Sequence, residues 1–295
     1  MNSICIILTD YQSINEELIL KSFNKIKKSK LKKIYLIGCK KKFKKIFQKF
    51  FYLKKINLID ITLVKNDYIN YLKNITKKSV LLFNEKKIKY IINLPLNKKK
   101  YIGKNFYGYT EFFSYYLDKK KNENMLLYSP DNFSVCPLTT HIELKNVDKK
   151  INKENLTNCV KNITKFYKLI NKKVKISVLG LNPHASIDLF TKNKDSEIIK
   201  PVVNFLKKKI NIRGPVSADT AFNKTTSNQV FIGMYHDQVL IPFKLINKFN
   251  GINITIGKKI IRLSPDHGVA KNKIGQIKSI DNKSFLECIK FCEKY

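Results

Sequence analysis

The sequence has no tryptophan, only two arginines and only four histidines in 295 residues. None of its apolar runs reaches the roughly 18 residues that a membrane-spanning helix needs, so a helical membrane protein is not expected. There is no Cys-x-x-Cys pair among Cys5, Cys39, Cys136, Cys159, Cys288 and Cys292. The thiols therefore read as reduced core residues of a cytosolic protein, not as a disulfide framework or a redox motif. A Gly-x-Gly-x-x-Gly run is also missing, so no dinucleotide fingerprint is visible. No basic region precedes the apolar stretch Ile4–Leu8, and no small-residue cleavage site follows it, so it reads as a first strand and not a signal peptide. Internal repeats and Pro/Gly/Ser-rich linkers are absent, and the chain is taken as one catalytic unit, residues 1–295, of two α/β subdomains with a cleft between them and no boundary visible.

Acidic residues are scarce as well, 22 against 58 basic ones, which leaves a formal charge of +36. Nucleic-acid binding is the obvious implication. The basic residues are almost all lysine, however, with Arg213 and Arg262 the only arginines. They are spread along the chain, as in Lys40–Lys42 and Lys98–Lys100. A dedicated nucleic-acid site concentrates arginine and exposed aromatics on one face. Lys, Asn and Ile share A/T-rich codons, so nucleotide bias explains the composition without a ligand. No specific nucleic-acid partner is expected, only a nonspecific attraction to polyanions.

What is present is a strand–helix alternation. Ile4–Leu8 reads as a buried strand, Ser13–Glu16 as a capping box before a helix, and Ile34–Ile37 as a second strand closed by Gly38. Residues 42–51, 110–117, 153–170 and 198–206 read as helices, the last with Pro201 in its first turn. Residues 91–94, 174–179 and 230–234 read as strands. This grammar predicts an α/β protein with a largely parallel sheet, in which ligands bind beyond the carboxyl ends of strands.

The four histidines all sit in compact polar motifs: Thr139-Thr140-His141, Asn182-Pro183-His184, Tyr235-His236-Asp237-Gln238 and Pro265-Asp266-His267-Gly268. Imidazole is the commonest metal ligand and a ready proton carrier, so histidines converging from distant segments would make a metal-assisted site. Three further motifs accompany them: Asn93-Leu94-Pro95-Leu96-Asn97-Lys98, Gly108-Tyr109-Thr110-Glu111 and Gly214-Pro215-Val216-Ser217-Ala218-Asp219.

Taken together and in order, these motifs resemble the 4-hydroxythreonine-4-phosphate dehydrogenase family of vitamin B6 biosynthesis. The resemblance runs from about residue 90 to residue 280. It implies a two-domain isocitrate/isopropylmalate dehydrogenase-like α/β fold and a cytoplasmic homodimer with a shared active site. The implied activity is NAD-dependent oxidation and decarboxylation of 4-phosphooxy-L-threonine to 3-amino-2-oxopropyl phosphate. The implied metal is divalent (zinc, magnesium or cobalt), held by His141, His184 and His236. The substrate-binding residues implied are Tyr109, Thr110, Lys244, Asn253 and Arg262, with Lys244 also in a catalytic role; Asp219 is read as the best nearby carboxylate for supporting a ligand or handling a proton in catalysis.

Lys and Arg suit a phosphorylated substrate, Arg through a bidentate contact. Read singly, Lys244 is one more solvated lysine, Asn253 a strand-edge amide, Thr110 a helix cap and Asp219 a turn residue. His267 fits either an active-site loop or a structural turn. The chain departs from the family at Thr9–Glu16 and at Ala185–Phe190, where the family is glycine-rich, and at Tyr109, where the family has a histidine. Two other functions stay open: a related dehydrogenase of another phosphorylated hydroxy acid, and a non-catalytic basic polyanion-binding protein.

Overall fold

A computed structural model describes residues 1–64, 67–102, 106, 108–117, 122–188, 191–248, 250–266 and 268–295. Its strands are β1 Ser3–Ile7, β2 Lys33–Gly38, β3 Ile56–Asp60, β4 Tyr90–Asn93, β5 Asn124–Tyr128, β6 Ser134–Pro137, β7 Lys175–Leu179, β8 Ile212–Val216, β9 Gln229–Gly233, β10 Ile252–Ile256 and β11 Ile261–Pro265. The chain divides into two compact units. Unit 1 comprises Met1–Lys121, Ile252–Ile254 and Lys258–Tyr295, and unit 2 comprises Asn122–Gly251 and Thr255–Gly257.

In unit 1 the strand order is β3-β2-β1-β4-β11, every neighbouring pair parallel. A parallel sheet covered on both faces demands continuous apolar strands. β1 meets that demand, with Cys5, Ile6 and Ile7 fully buried. The helix Tyr68–Asn84 buries Tyr71, Leu72, Ile75, Thr76, Ser79, Val80 and Leu82 along one stripe, and the Asp67 side chain caps it by accepting from Asn70 N at 3.1 Å. Neither β3 nor this helix is expected from the sequence, because Asn and Lys residues dilute its helical period. The capping box at Ser13 does not form. The helix begins at Asn15 without a side-chain cap, and Ser13 Oγ donates instead to the Asp10 carbonyl at 2.8 Å.

In unit 2 the order is β5-β6-β9-β7-β8; β6, β9, β7 and β8 are parallel and β5 is antiparallel to β6. The helix Lys153–Leu169 starts at Asn152, whose side chain accepts from Asn155 N at 2.8 Å, and buries Leu156, Cys159, Val160, Ile163, Phe166 and Tyr167. Phe133, Leu179, Phe231, Val239 and Phe243 form the core beside the strand ends. Gly214, at φ +146°, lies where a Cβ would come within 2.5 Å of the Val178 carbonyl; this close approach accompanies the register shift between β7 and β8. The molecule is thus an α/β protein with largely parallel sheets. All six cysteines are free and buried. No helix among the described residues is long and apolar enough to cross a membrane.

Candidate active site

The predicted polar residues of unit 2 collect at the carboxyl ends of its parallel strands. His141 follows β6, His236 follows β9, His184 follows β7 and Asp219 follows β8. These four strands are consecutive neighbours, so parallel pairing alone brings their C-terminal loops to one edge.

Side-chain and backbone hydrogen bonds then tie the loops together. Thr139 Oγ1 donates to the Met234 carbonyl at 2.7 Å, joining the His141 loop to the end of β9. The Gln238 amide accepts from Met234 N and donates to the Gly180 carbonyl, both at 2.7 Å, joining the His236 loop to the His184 loop. Gly180 N donates to the Val216 carbonyl at 2.9 Å, joining the His184 loop to that of Asp219. Gly180 has to be glycine because the turn folds back on it: a Cβ there would lie 2.6 Å from Ala185 Cα.

The His141 and His236 rings face each other, with centroids 5.8 Å apart. His236 Nδ1 donates to Asp237 Oδ1 at 2.6 Å. His184 Nδ1 donates to Asp188 Oδ2 at 2.7 Å, and its Nε2 lies 4.0 Å from Asp219 Oδ2. Asp188, with Asp219 behind it, raises the pKa of His184. A carboxylate on Nδ1 fixes the tautomer and leaves Nε2 as the ligating nitrogen, the usual support for a metal-binding histidine. Among the described residues, no three His, Cys, Asp or Glu side chains converge on one point that could hold a metal ion. The paired imidazoles are His141 and His236; the side chain of His184 is 61% exposed. Lys244 lies exposed on the helix His236–Asn247.

The remaining predicted residues belong to unit 1. Arg262, on β11, is 2% exposed; its Nη1 donates to Asn93 Oδ1 at 2.9 Å, and its guanidinium lies over the Tyr109 ring at 5.7 Å. Burial pushes its pKa down to about 10. An open bidentate fork is therefore not what the structure presents. Tyr109 does not present a polar group either. It is buried, its hydroxyl shares a 2.9 Å hydrogen bond with Thr76 Oγ1, and burial raises its pKa so that it stays a neutral phenol. Thr110 is partly exposed in the first turn of the helix Tyr109–Leu117. Asn253, on β10, carries a buried Oδ1 with no hydrogen-bond partner among the described residues. His267 lies outside the described residues.

The turn Thr9–Ser13, which lacks the family's glycines, is held by its own side chains. Asp10 accepts from Gln12 N at 2.8 Å and from Asn97 N at 3.0 Å, while Thr9 Oγ1 donates to the Pro95 carbonyl at 2.9 Å. Sequence reasoning gave no role to Gln238 or Asp188, although both lie in or beside the histidine motifs. It missed Asp195 altogether, a buried carboxylate that binds the His184 loop from 14 and 13 residues downstream. Only its place before an apolar helical stretch could have drawn attention to it.

Comparisons with known proteins show the family and the fold. The family model described as pyridoxal phosphate biosynthetic protein PdxA matches residues 2–292. The 4-hydroxythreonine-4-phosphate dehydrogenase of Sulfurihydrogenibium sp. (strain YO3AOP1) is 33% identical over 325 residues, covering 98% of this chain and 97% of that protein. The D-threonate 4-phosphate dehydrogenase of Pectobacterium atrosepticum is 32% identical over 200 residues, covering 66% of this chain and 61% of its own length. The crystal structure of 4-hydroxythreonine-4-phosphate dehydrogenase from Klebsiella pneumoniae superposes with a TM-score of 0.80 at 23% identity, covering 100% of both chains, and so shares the fold. The chain belongs to the PdxA family.

Proposed function

We propose that this chain is a cytoplasmic, NAD-dependent and divalent-metal-assisted dehydrogenase. It oxidises 4-phosphooxy-L-threonine and releases carbon dioxide to give 3-amino-2-oxopropyl phosphate. The observation that carries this reading is the set of four adjacent strand ends bearing His141, His236, His184 and Asp219, locked together through Thr139 and Gln238. Imidazoles whose Nδ1–H is held by a carboxylate are the right donors for zinc or cobalt, whereas magnesium prefers oxygen donors, so the residues fit the first two ions in chemistry. Bound there, the ion would acidify the substrate hydroxyl and stabilise oxygen charge during decarboxylation, while NAD would take the hydride.

The chain's own residues do the rest. Asp188 and Asp237 fix the His184 and His236 tautomers. Asp219, at 4.0 Å from His184 Nε2, is placed to take or return a proton. Lys244 offers a cation for the phosphate and a proton for the carbanion left after decarboxylation. Asn253 brings an acceptor that needs a donor. Thr110 offers a hydroxyl at the start of its helix, and Arg262 contributes fixed positive charge held by Asn93.

The His184 side chain is exposed, and the helix that begins at His236 exposes Ile241 (57%), Leu245 (73%) and Ile246 (47%). Such side chains suit an interface and support a homodimer with a shared active site.

A second reading rests on Tyr109, a neutral buried side chain where the family has a histidine: the substrate is then another phosphorylated hydroxy acid, such as the D-threonate 4-phosphate of the Pectobacterium protein's name.

The test is NADH formation by metal-loaded protein with each substrate in turn, before and after chelation. Turnover of 4-phosphooxy-L-threonine, abolished by chelator, is expected. Turnover of D-threonate 4-phosphate alone would favour the second reading. No metal uptake and no turnover would leave a non-catalytic polyanion-binding protein. Mixed His184→Ala and His236→Ala chains should recover activity in heterodimers if those two ligands come from different copies.

A further inference from the structure

The turn that presents His184 is built in an unusual way. Three consecutive residues that are not glycine have left-handed backbones: His184 (φ 50°), Ala185 (φ 53°) and Ser186 (φ 59°). L-residues avoid this region because Cβ crowds the following carbonyl, and a run of three persists only where the surroundings over-determine it. The family has glycine in this stretch, which would adopt the conformation freely.

Here the surroundings are dominated by one side chain. Asp195 is 1% exposed and begins the helical stretch Asp195–Ile199 that runs into the helix Lys200–Lys207. Its Oδ1 accepts from Leu181 N at 2.6 Å. Its Oδ2 accepts from Asn182 N at 3.1 Å, from Asn182 Nδ2 at 3.0 Å and from Ser186 Oγ at 2.5 Å. Asn182 Nδ2 also donates to Ser186 Oγ at 3.1 Å, closing the network across the turn. Asp195 is itself oriented by Asn193 Oδ1, which accepts from its backbone N at 3.0 Å.

We infer that Asp195 is a positioning residue for the active site: with Ser186 it replaces glycine's conformational freedom by hydrogen bonding, and so sets the direction of the His184 imidazole. This deepens the functional reading above and rests on His184 belonging to the site. Asp195 touches no reacting atom. It works through the turn, gripping both ends at Leu181–Asn182 and at Ser186 while anchored on a helix, and such rigid support holds a site in working geometry. Ser186 has a double part, because its backbone is strained and its hydroxyl supplies the bond that holds the strain.

Two substitutions at Ser186 separate these parts. Ser186→Ala removes the hydroxyl and keeps a Cβ in the left-handed region. Ser186→Gly removes the hydroxyl and the strain together. The inference requires Ser186→Ala to be the more damaging, with kcat about tenfold below that of Ser186→Gly and KM for NAD unchanged in both. Asp195→Asn keeps the volume but turns an NH2 toward donors; it should lower kcat more than either. The double variant Asp195→Asn/Ser186→Gly should regain activity over Asp195→Asn alone, because a glycine turn needs less holding.

Hydrogen exchange on the full-length protein gives a readout independent of turnover. The Leu181 and Asn182 amides should exchange at least tenfold faster in Asp195→Asn, while β1 in unit 1 is unchanged. Equal damage from Ser186→Ala and Ser186→Gly, or unaltered exchange at Leu181 and Asn182 in a folded Asp195→Asn protein, would overturn the inference. Should Asp195→Asn fail to fold, the exchange contrast between the two Ser186 variants decides. Should the wild type turn over no substrate, the same exchange data still test Asp195 and only the functional reading falls.

Discussion

The two units treat their polar residues in opposite ways. Unit 2 exposes His184 (61%) and Asp219 (60%) at strand ends and buries the supporting Asp195 and Thr139. Unit 1 buries Arg262 and Tyr109 in its interior and satisfies them there, on Asn93 and Thr76. The lesson is one of energetics. A charged group in a core cannot be removed without leaving an unpaired partner and a cavity, whereas a charged group on a loop can be removed almost freely if the buried groups that shape the loop remain. Stability and activity should therefore respond to different substitutions in the two units.

The largest effect expected is on unit 1. Arg262→Ala should lower stability to urea unfolding by about 3 kcal/mol, since it strands Asn93 and opens a void beneath Tyr109. Arg262→Met, which keeps most of the volume, should cost less. If Arg262→Ala proved as stable as wild type while KM for the phosphorylated substrate rose, Arg262 would be a substrate contact and the contrast between the units would fail.

Next comes the backbone of unit 2. Gly180→Ala puts a Cβ 2.6 Å from Ala185 Cα and should destabilise by about 2 kcal/mol, with the His184 turn displaced. Retained stability with retained activity would mean that the turn is more pliant than its contacts imply.

Tyr109→Phe removes the bond to Thr76 and should cost about 1 kcal/mol. Substrate affinity should hardly change if the hydroxyl serves only the core; a rise in KM without loss of stability would return Tyr109 to the substrate.

Exposed residues of unit 2 should show the smallest stability effects and the clearest effects on turnover. Asp219→Ala and Lys244→Ala are expected within about 0.5 kcal/mol of wild type in thermal unfolding. Each should reduce kcat on the order of 10²-fold if it moves a proton. Activity that survives both substitutions would remove them from the chemistry.

Much of this was legible in the sequence. The strands β1, β2, β4, β7 and β9 were expected within a residue or two, because continuous Ile and Val runs leave little alternative in a parallel sheet. The delivery of His184 and His236 at strand ends was legible for the same reason. β3 and the helix Tyr68–Asn84 were not, since lysine and asparagine fill the gaps in their apolar pattern. The candidate side chains were identifiable as residue types in ordered motifs, yet nothing in those motifs separates an exposed cation such as Lys244 from a buried one such as Arg262. Exposure depends on what the rest of the chain packs against each residue.

By itself the sequence determined the α/β class, the family and the delivery of His184 and His236 at strand ends, because hydrophobic period and motif order are local properties of the chain. Only the tertiary structure decided that β6, β9, β7 and β8 lie side by side, so that His141 meets His236, and that Asp195 reaches back to hold the His184 turn. Those facts rest on strand order and on hydrogen bonds between segments far apart in sequence, and such pairings are fixed by burying one shared core and satisfying its polar groups, not by any stretch of residues read alone.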